Sequence, residues 1–198
     1  MKFIKFFCVV LLTYTLIAGF LFDVPRLPIL NETIRALYFH VPMWFTMIFL
    51  LLLSSFNSYK YINTGKNYYD IKSYNYANVA VYFGVLGLLT GMIWAKFTWG
   101  TFWTNDPKLN GSAIGMLIYL GYFVLRSSVK DESKRGKISS VYNVFAFAML
   151  IPLIFILPRM ADSLHPGNGG NPGFNVYDMN SQLRVVFYPA VAGFILLG

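Results

Sequence analysis

Two histidines, His40 and His165, are the only ones in the chain, and each flanks an apolar run instead of interrupting it. Between them lies Trp94–Asn110, WAKFTWGTFWTNDPKLN, which holds three of the four tryptophans, Trp94, Trp99 and Trp103. Gly100, Asp106, Pro107 and the Lys96/Lys108 pair are interleaved with them. Neutral imidazole is the usual axial ligand of haem iron. Two imidazoles from separate segments can bind opposite faces of one planar macrocycle. A lone histidine at a membrane boundary is more often a hydrogen-bonded interfacial residue; it is the pair, flanking one aromatic segment, that points to a ligand.

The neighbouring residues suit the same chemistry. Trp99, Phe102 and Trp103 offer flat apolar surfaces. Arg35, Lys96, Lys108, Arg159 and Arg184 are cations able to meet the carboxylates of a porphyrin, arginine with the better bidentate geometry. Read from the residues alone, this is a site for haem or another aromatic ligand. An interfacial aromatic belt accounts for tryptophans at a membrane boundary, but it does not require Trp99, Gly100, Trp103 and Asp106 in a fixed short pattern. Zinc wants three or four ligands at motif spacing, which two distant histidines do not supply. The one cysteine, Cys8, lies in the first apolar run and can form no intramolecular disulfide, and no CxxCH is present. Nor is there a Gly-rich phosphate loop, a nucleophile elbow or a carboxylate pair, so no conventional catalytic apparatus is visible.

The elements that must position these residues are membrane helices. Hydrophobic residues make up 57% of the chain and charged residues 12%, with a mean hydropathy of +0.55. Such a chain is far more apolar than a soluble domain, and several runs approach the ~20 residues that span a bilayer. The fold class is therefore all-α, a polytopic membrane bundle of about six helices. We expect a single integral membrane domain over 1–198. Its spans are Phe6–Phe22, read as a retained first helix since no A-x-A-like site closes it, Phe39–Phe56, Asn75–Ala95, Ser112–Leu125, Val141–Leu157 and a last run over Val185–Gly198. The last is short for a span unless its helix begins near Ser181. Pro42 is expected in a first helical turn, with His40 just ahead of the helix. Gly87/Gly91 and Gly111/Gly115 have the small-xxx-small spacing that lets membrane helices approach closely.

The net charge of +8 is a topology signal in such a chain, not a sign of nucleic-acid binding. With the N-terminus cytoplasmic, ten Lys and Arg lie inside, five of them within 126–137, and six lie outside. The loops 23–38, 96–111 and 158–182 then face outward, and His40, the tryptophan loop and His165 share that side.

These residues resemble a known family. Arg35-Ala-Leu-Tyr-Phe-His40-Val-Pro looks like the outer histidine motif of the CcmC family, the haem-handling proteins of System I cytochrome c maturation. Trp99-Gly-Thr-Phe-Trp103-Thr-Asn-Asp106-Pro-Lys-Leu looks like that family's tryptophan-rich WWD signature, and Ser163-Leu-His165 resembles its second outer histidine. Asn105 stands where the signature usually has a third tryptophan, Phe102 where a tryptophan is common, and Lys108 where an arginine is common. The ammonium of Lys108 is a point charge and cannot form a bidentate contact.

The resemblance implies a multi-pass protein of the bacterial inner membrane, N-terminus cytoplasmic, that holds haem b on the outer face. His40 and His165 would be the axial ligands, with Trp99, Gly100, Trp103, Asp106, Arg35 and Lys108 as further contacts. It also implies presentation of haem to the chaperone CcmE, together with CcmD and the CcmAB transporter. Two other classes are compatible with the residues: a membrane cytochrome b redox subunit, and a fragment of the larger System II haem exporter/synthase. The first generally buries its histidines within helices; the second has more spans and more histidines.

Overall fold

In a bilayer an apolar stretch satisfies its backbone only by closing it into helix or barrel. Every apolar run of this chain is helical in the computed structural model, which describes residues 2–27, 29–165 and 179–198, and no strand occurs among the described residues. Helix α1 spans Lys2–Leu21. A 3-10 turn, Asn31–Ala36, leads directly into α2, Leu37–Thr64. Then come α3, Asn67–Trp99, α4, Pro107–Ser128, and α5, Glu132–Ile151. A π-helical turn, Pro152–Ile156, joins α5 to the short α6, Leu157–Met160, and α7 runs over Ser181–Leu197. Lys2–Leu21, Asn31–Thr64, Asn67–Trp99, Pro107–Ser128 and Lys134–Met160 are long and apolar enough to cross a membrane, and α7 is a shorter apolar helix. The protein is a multi-pass helical membrane protein.

Several helix ends lie beyond the hydropathy boundaries. The segment 57–74, expected as a polar loop, is almost wholly helical, and the link is only Gly65 and Lys66, with Gly65 at φ +65°. Its tyrosines and lysines are polar at the tip alone and continue the helix into the interface, where the Lys60 and Lys72 ammoniums rest on the rings of Phe56 and Tyr68 at 4.4 and 4.6 Å. Pro42 lies inside α2, beyond its first turn, because the 3-10 turn and Leu37 start the helix earlier than expected. The carbonyl of Tyr38, four residues back, therefore receives no N–H from position 42.

The chain divides into two compact units. The first comprises Met1–Thr46, Phe83–Thr104 and Asn171–Gly198. In it α1 packs along α7, with the Cys8 thiol against Gly193 O at 3.6 Å, and Gly19 faces Tyr38 and Phe39 of α2. A Cβ on Gly193 of α7 would stand 3.1 Å from Cβ of Leu11, so glycine sets how closely these helices approach. Ile34, Leu37, Tyr38, Met179, Leu183, Val186 and Phe187 form the core of this unit.

The second unit comprises Met47–Tyr82 and Asn105–Gly170. Its interior is tied by polar groups. The Asn143 side-chain NH2 lies 2.7, 2.9 and 3.0 Å from the Ser54, Ser58 and Ser73 hydroxyls, which share its two hydrogens and join α2, α3 and α5. Asp70 and Arg126 make a bidentate pair at 2.7 and 2.6 Å. Pro152 has no N–H to donate, and the chain re-forms its bonding one residue wider, with Leu157 N–H donating to Pro152 O. The π turn brings the Leu153 carbonyl against Gly111, while Leu150 fills the space at Gly115. The Gly111/Gly115 spacing read from the sequence thus faces α5 and its π extension.

Candidate functional site

His40 lies in the first turn of α2, not ahead of it. Its ring stands edge-on to two tryptophans, Trp44 one turn further on at 6.4 Å and Trp94 of α3 at 5.8 Å. Trp94 is fixed in turn by donating Nε1–H to Thr33 Oγ1 at 3.2 Å. Glycines on α3 make this packing possible. A Cβ at Gly87 would stand 2.9 Å from the Trp44 ring, and one at Gly91 would stand 2.7 Å from His40 Cε1. His40 Nδ1 lies 3.0 Å from Thr90 Oγ1. The Thr90 hydroxyl spends its own hydrogen on Leu86 O at 2.8 Å or Gly87 O at 3.1 Å. With the hydroxyl hydrogen on either carbonyl, its oxygen accepts from His40 Nδ1–H, and in that tautomer the ring's lone pair is on Nε2.

The tryptophan segment of this unit is partly helix. Trp99 is the last residue of α3, and Gly100 at φ +81° takes the left-handed position that ends a helix without the penalty a Cβ would bring. Lys96 donates to Gly100 O at 2.9 Å and lies 5.7 Å above the Phe102 ring. Thr101 Oγ1 donates to Trp103 O at 2.8 Å and accepts from Trp103 N at 3.3 Å, so a side-chain turn presents Phe102 and Trp103 on the surface. Arg35 has another task. Its Nη1 donates to Gly19 O and Phe22 O at 2.9 and 2.7 Å, and its Nε to Glu32 at 2.8 Å. It therefore caps the carbonyls at the end of α1.

In the second unit the organising residue is Asp106, 3% exposed. Its Oδ1 caps α4 by accepting from Lys108 N at 2.8 Å and Leu109 N at 3.3 Å. The same oxygen lies 3.0 Å from His165 Nδ1. Its Oδ2 accepts from Ser163 Oγ at 2.9 Å and Leu164 N at 2.7 Å. Burial alone would raise the Asp106 pKa, but the bonds from His165, Leu164 and Ser163 outweigh it and hold the carboxyl well below the usual range. An ionised carboxylate only accepts, so His165 carries a hydrogen on Nδ1. The Lys108 side chain lies within electrostatic reach of Asp106 and Arg159.

Sequence reasoning found both histidines and Asp106 but not their partners. Thr90 gave no signal, being one hydroxyl in an apolar run, and Trp94 read as part of a loop. Residues 166–178, most of the Gly/Pro/Asn-rich loop expected beyond His165, lie outside the described residues. Among the described residues no three of His, Cys, Asp or Glu gather in a metal-holding cluster.

The profile of the CcmC family, described as heme exporter protein C, matches residues 1–197. The chain is 26% identical to the heme exporter protein C of Paracoccus denitrificans, over 84% of this chain and 69% of that protein. It is 28% identical to that of Bradyrhizobium diazoefficiens, over 68% of this chain and 51% of that protein. Similarity extends to a putative cytochrome c biosynthesis ccmC-like mitochondrial protein of Marchantia polymorpha, 31% identical over 85% of this chain and 70% of that one. The chain thus spans about half of the Bradyrhizobium relative and little more than two thirds of the other two.

Proposed function

This chain belongs to the CcmC (heme exporter protein C) family, and we propose that it carries haem b as its cargo in cytochrome c biogenesis, with His40 and His165 as the axial ligands. The observation that supports this reading most is shared by both histidines. Each has Nδ1 3.0 Å from a side-chain oxygen, and an imidazole that donates from Nδ1 carries on Nε2 the lone pair that iron would take. Iron held between two neutral imidazoles is six-coordinate, and porphyrin carboxylates call for cations nearby. Lys108 and Arg159 are within mutual electrostatic reach and suit that role. Arg35 is largely committed to the end of α1 and is the weaker choice. Trp99, Phe102 and Trp103 would cover the macrocycle.

In this account the protein sits in the bacterial inner membrane with its N-terminus in the cytoplasm. Haem rests at the outer face and passes to the chaperone CcmE, with CcmD and the CcmAB transporter as further partners. The test is the absorption spectrum of the purified protein, followed by its pyridine haemochrome. The expected result is a stoichiometric b-type haem with low-spin bands. Protein that purifies from haem-replete cells without pigment, and takes up none when haem is added, would contradict the reading.

A further inference from the structure

The two imidazoles are held by unlike partners. The Nδ1 of His40 faces a neutral hydroxyl, Thr90 Oγ1, whereas that of His165 faces the buried carboxylate of Asp106. Sharing a hydrogen with an anion leaves more electron density on the imidazole ring than sharing it with a hydroxyl, so Nε2 of His165 is the stronger donor to a metal and Nε2 of His40 the weaker. The surroundings differ as well. His40 is walled in by Trp44, Trp94 and Gly91, so its ring holds its place whether or not it is ligating. His165 is positioned by the hydrogen bonds that Asp106 makes to it and to the two residues before it.

Resting on the haem reading above, we propose that His165 is the anchoring ligand and His40 the exchangeable one, so that haem is handed on by replacement of His40 first. In that step the Fe–Nε2 bond to His40 breaks and the imidazole keeps its lone pair. A neutral nitrogen donor from the recipient supplies the pair that forms the new bond. The iron keeps its oxidation state, and the total charge does not change. The freed His40 ring, still bonded to Thr90, remains set to receive the next haem. Asp106 acts in this scheme as a positioning residue, through His165.

The test uses the full chain purified with haem b. His40→Gly should retain severalfold more haem than His165→Gly, and added imidazole should restore the low-spin spectrum of both, which also shows that both are folded. A second pair of variants probes the partners of the rings. Asp106→Asn keeps one acceptor oxygen for the helix cap and removes the charge, but sets an amide NH2 against Leu164 N–H, so its helical circular dichroism is compared with the parent's. It should weaken haem binding about 10- to 100-fold and raise the midpoint potential, whereas Thr90→Val should have the smaller effect on both. Equal or reversed retention in the glycine pair, or a larger effect from Thr90→Val, overturns the asymmetry while leaving two-histidine ligation standing. Native spectra in both glycine variants without imidazole would overturn the asymmetry and the two-histidine ligation together.

Discussion

Gly91 of α3 faces the imidazole of His40 so closely that a Cβ at position 91 would stand 2.7 Å from Cε1 of the ring. Alanine in a helix interior ordinarily gains about 1 kcal/mol over glycine. Here overpacking, worth about 1–3 kcal/mol, opposes that gain, and the group that must give way is a proposed ligand. Gly91→Ala should therefore lower haem retention while leaving the helical circular dichroism intact. Full retention in that variant would remove His40 from the site.

The aromatic turn is predicted to act by apolar contact. Phe102 and Trp103 are 52% and 38% exposed, displayed by the Thr101 turn. Trp103→Phe should bind haem almost as the parent does. Trp103→Ala should lose affinity by about tenfold or more, since burying a large aromatic is worth on the order of 1.5–3 kcal/mol. Titration of haem into the purified variants measures this. An unchanged affinity in Trp103→Ala would make the turn a belt or a partner-docking surface.

How much of this was legible in the sequence depends on the range of the interaction. The apolar runs announced the helices, because hydropathy is local. Helix ends were less legible: the tyrosine-rich stretch around Lys60 and Lys72 is polar enough to read as loop, yet its lysines lie over aromatic rings and the helices run on to a two-residue link. Glycine spacing on α3 and α4 was visible, but not what filled it. The Asp106–His165 pair joins residues 59 positions apart, and no periodic signal connects them. Asp106 was singled out by its place in a pattern; the reason for it, one carboxylate that caps a helix and orients an imidazole, needed coordinates.

The Asp70–Arg126 pair predicts a stability effect away from the haem site. Both side chains are nearly buried, at 13% and 12% exposure, and the pair ties α3 to α4 within the second unit. Removing one charge leaves the other unpaired, at a cost of about 3–5 kcal/mol. Asp70→Asn should lower the thermal midpoint in detergent, and adding Arg126→Met to an Asp70→Leu background should recover most of the loss. No change in Asp70→Asn would show that water reaches the pair.

The proposed orientation, N-terminus inside, rests on the ten-to-six distribution of Lys and Arg under the positive-inside rule. A reporter that works only outside the cytoplasm should be active when inserted within 167–171 and silent within 130–136. The reverse pattern would place the histidines on the cytoplasmic side and end the outer-face account.

The central claim is that two histidines of this chain hold one haem, and the absorption spectrum of haem-loaded His165→Gly tests it most directly. Without the ring the iron has an open position. The account predicts loss of haem or of the low-spin bands, and their return when imidazole occupies the vacated space. A native low-spin spectrum in His165→Gly with no imidazole present would contradict it, and a methionine or a partner's side chain would then have to be the second ligand.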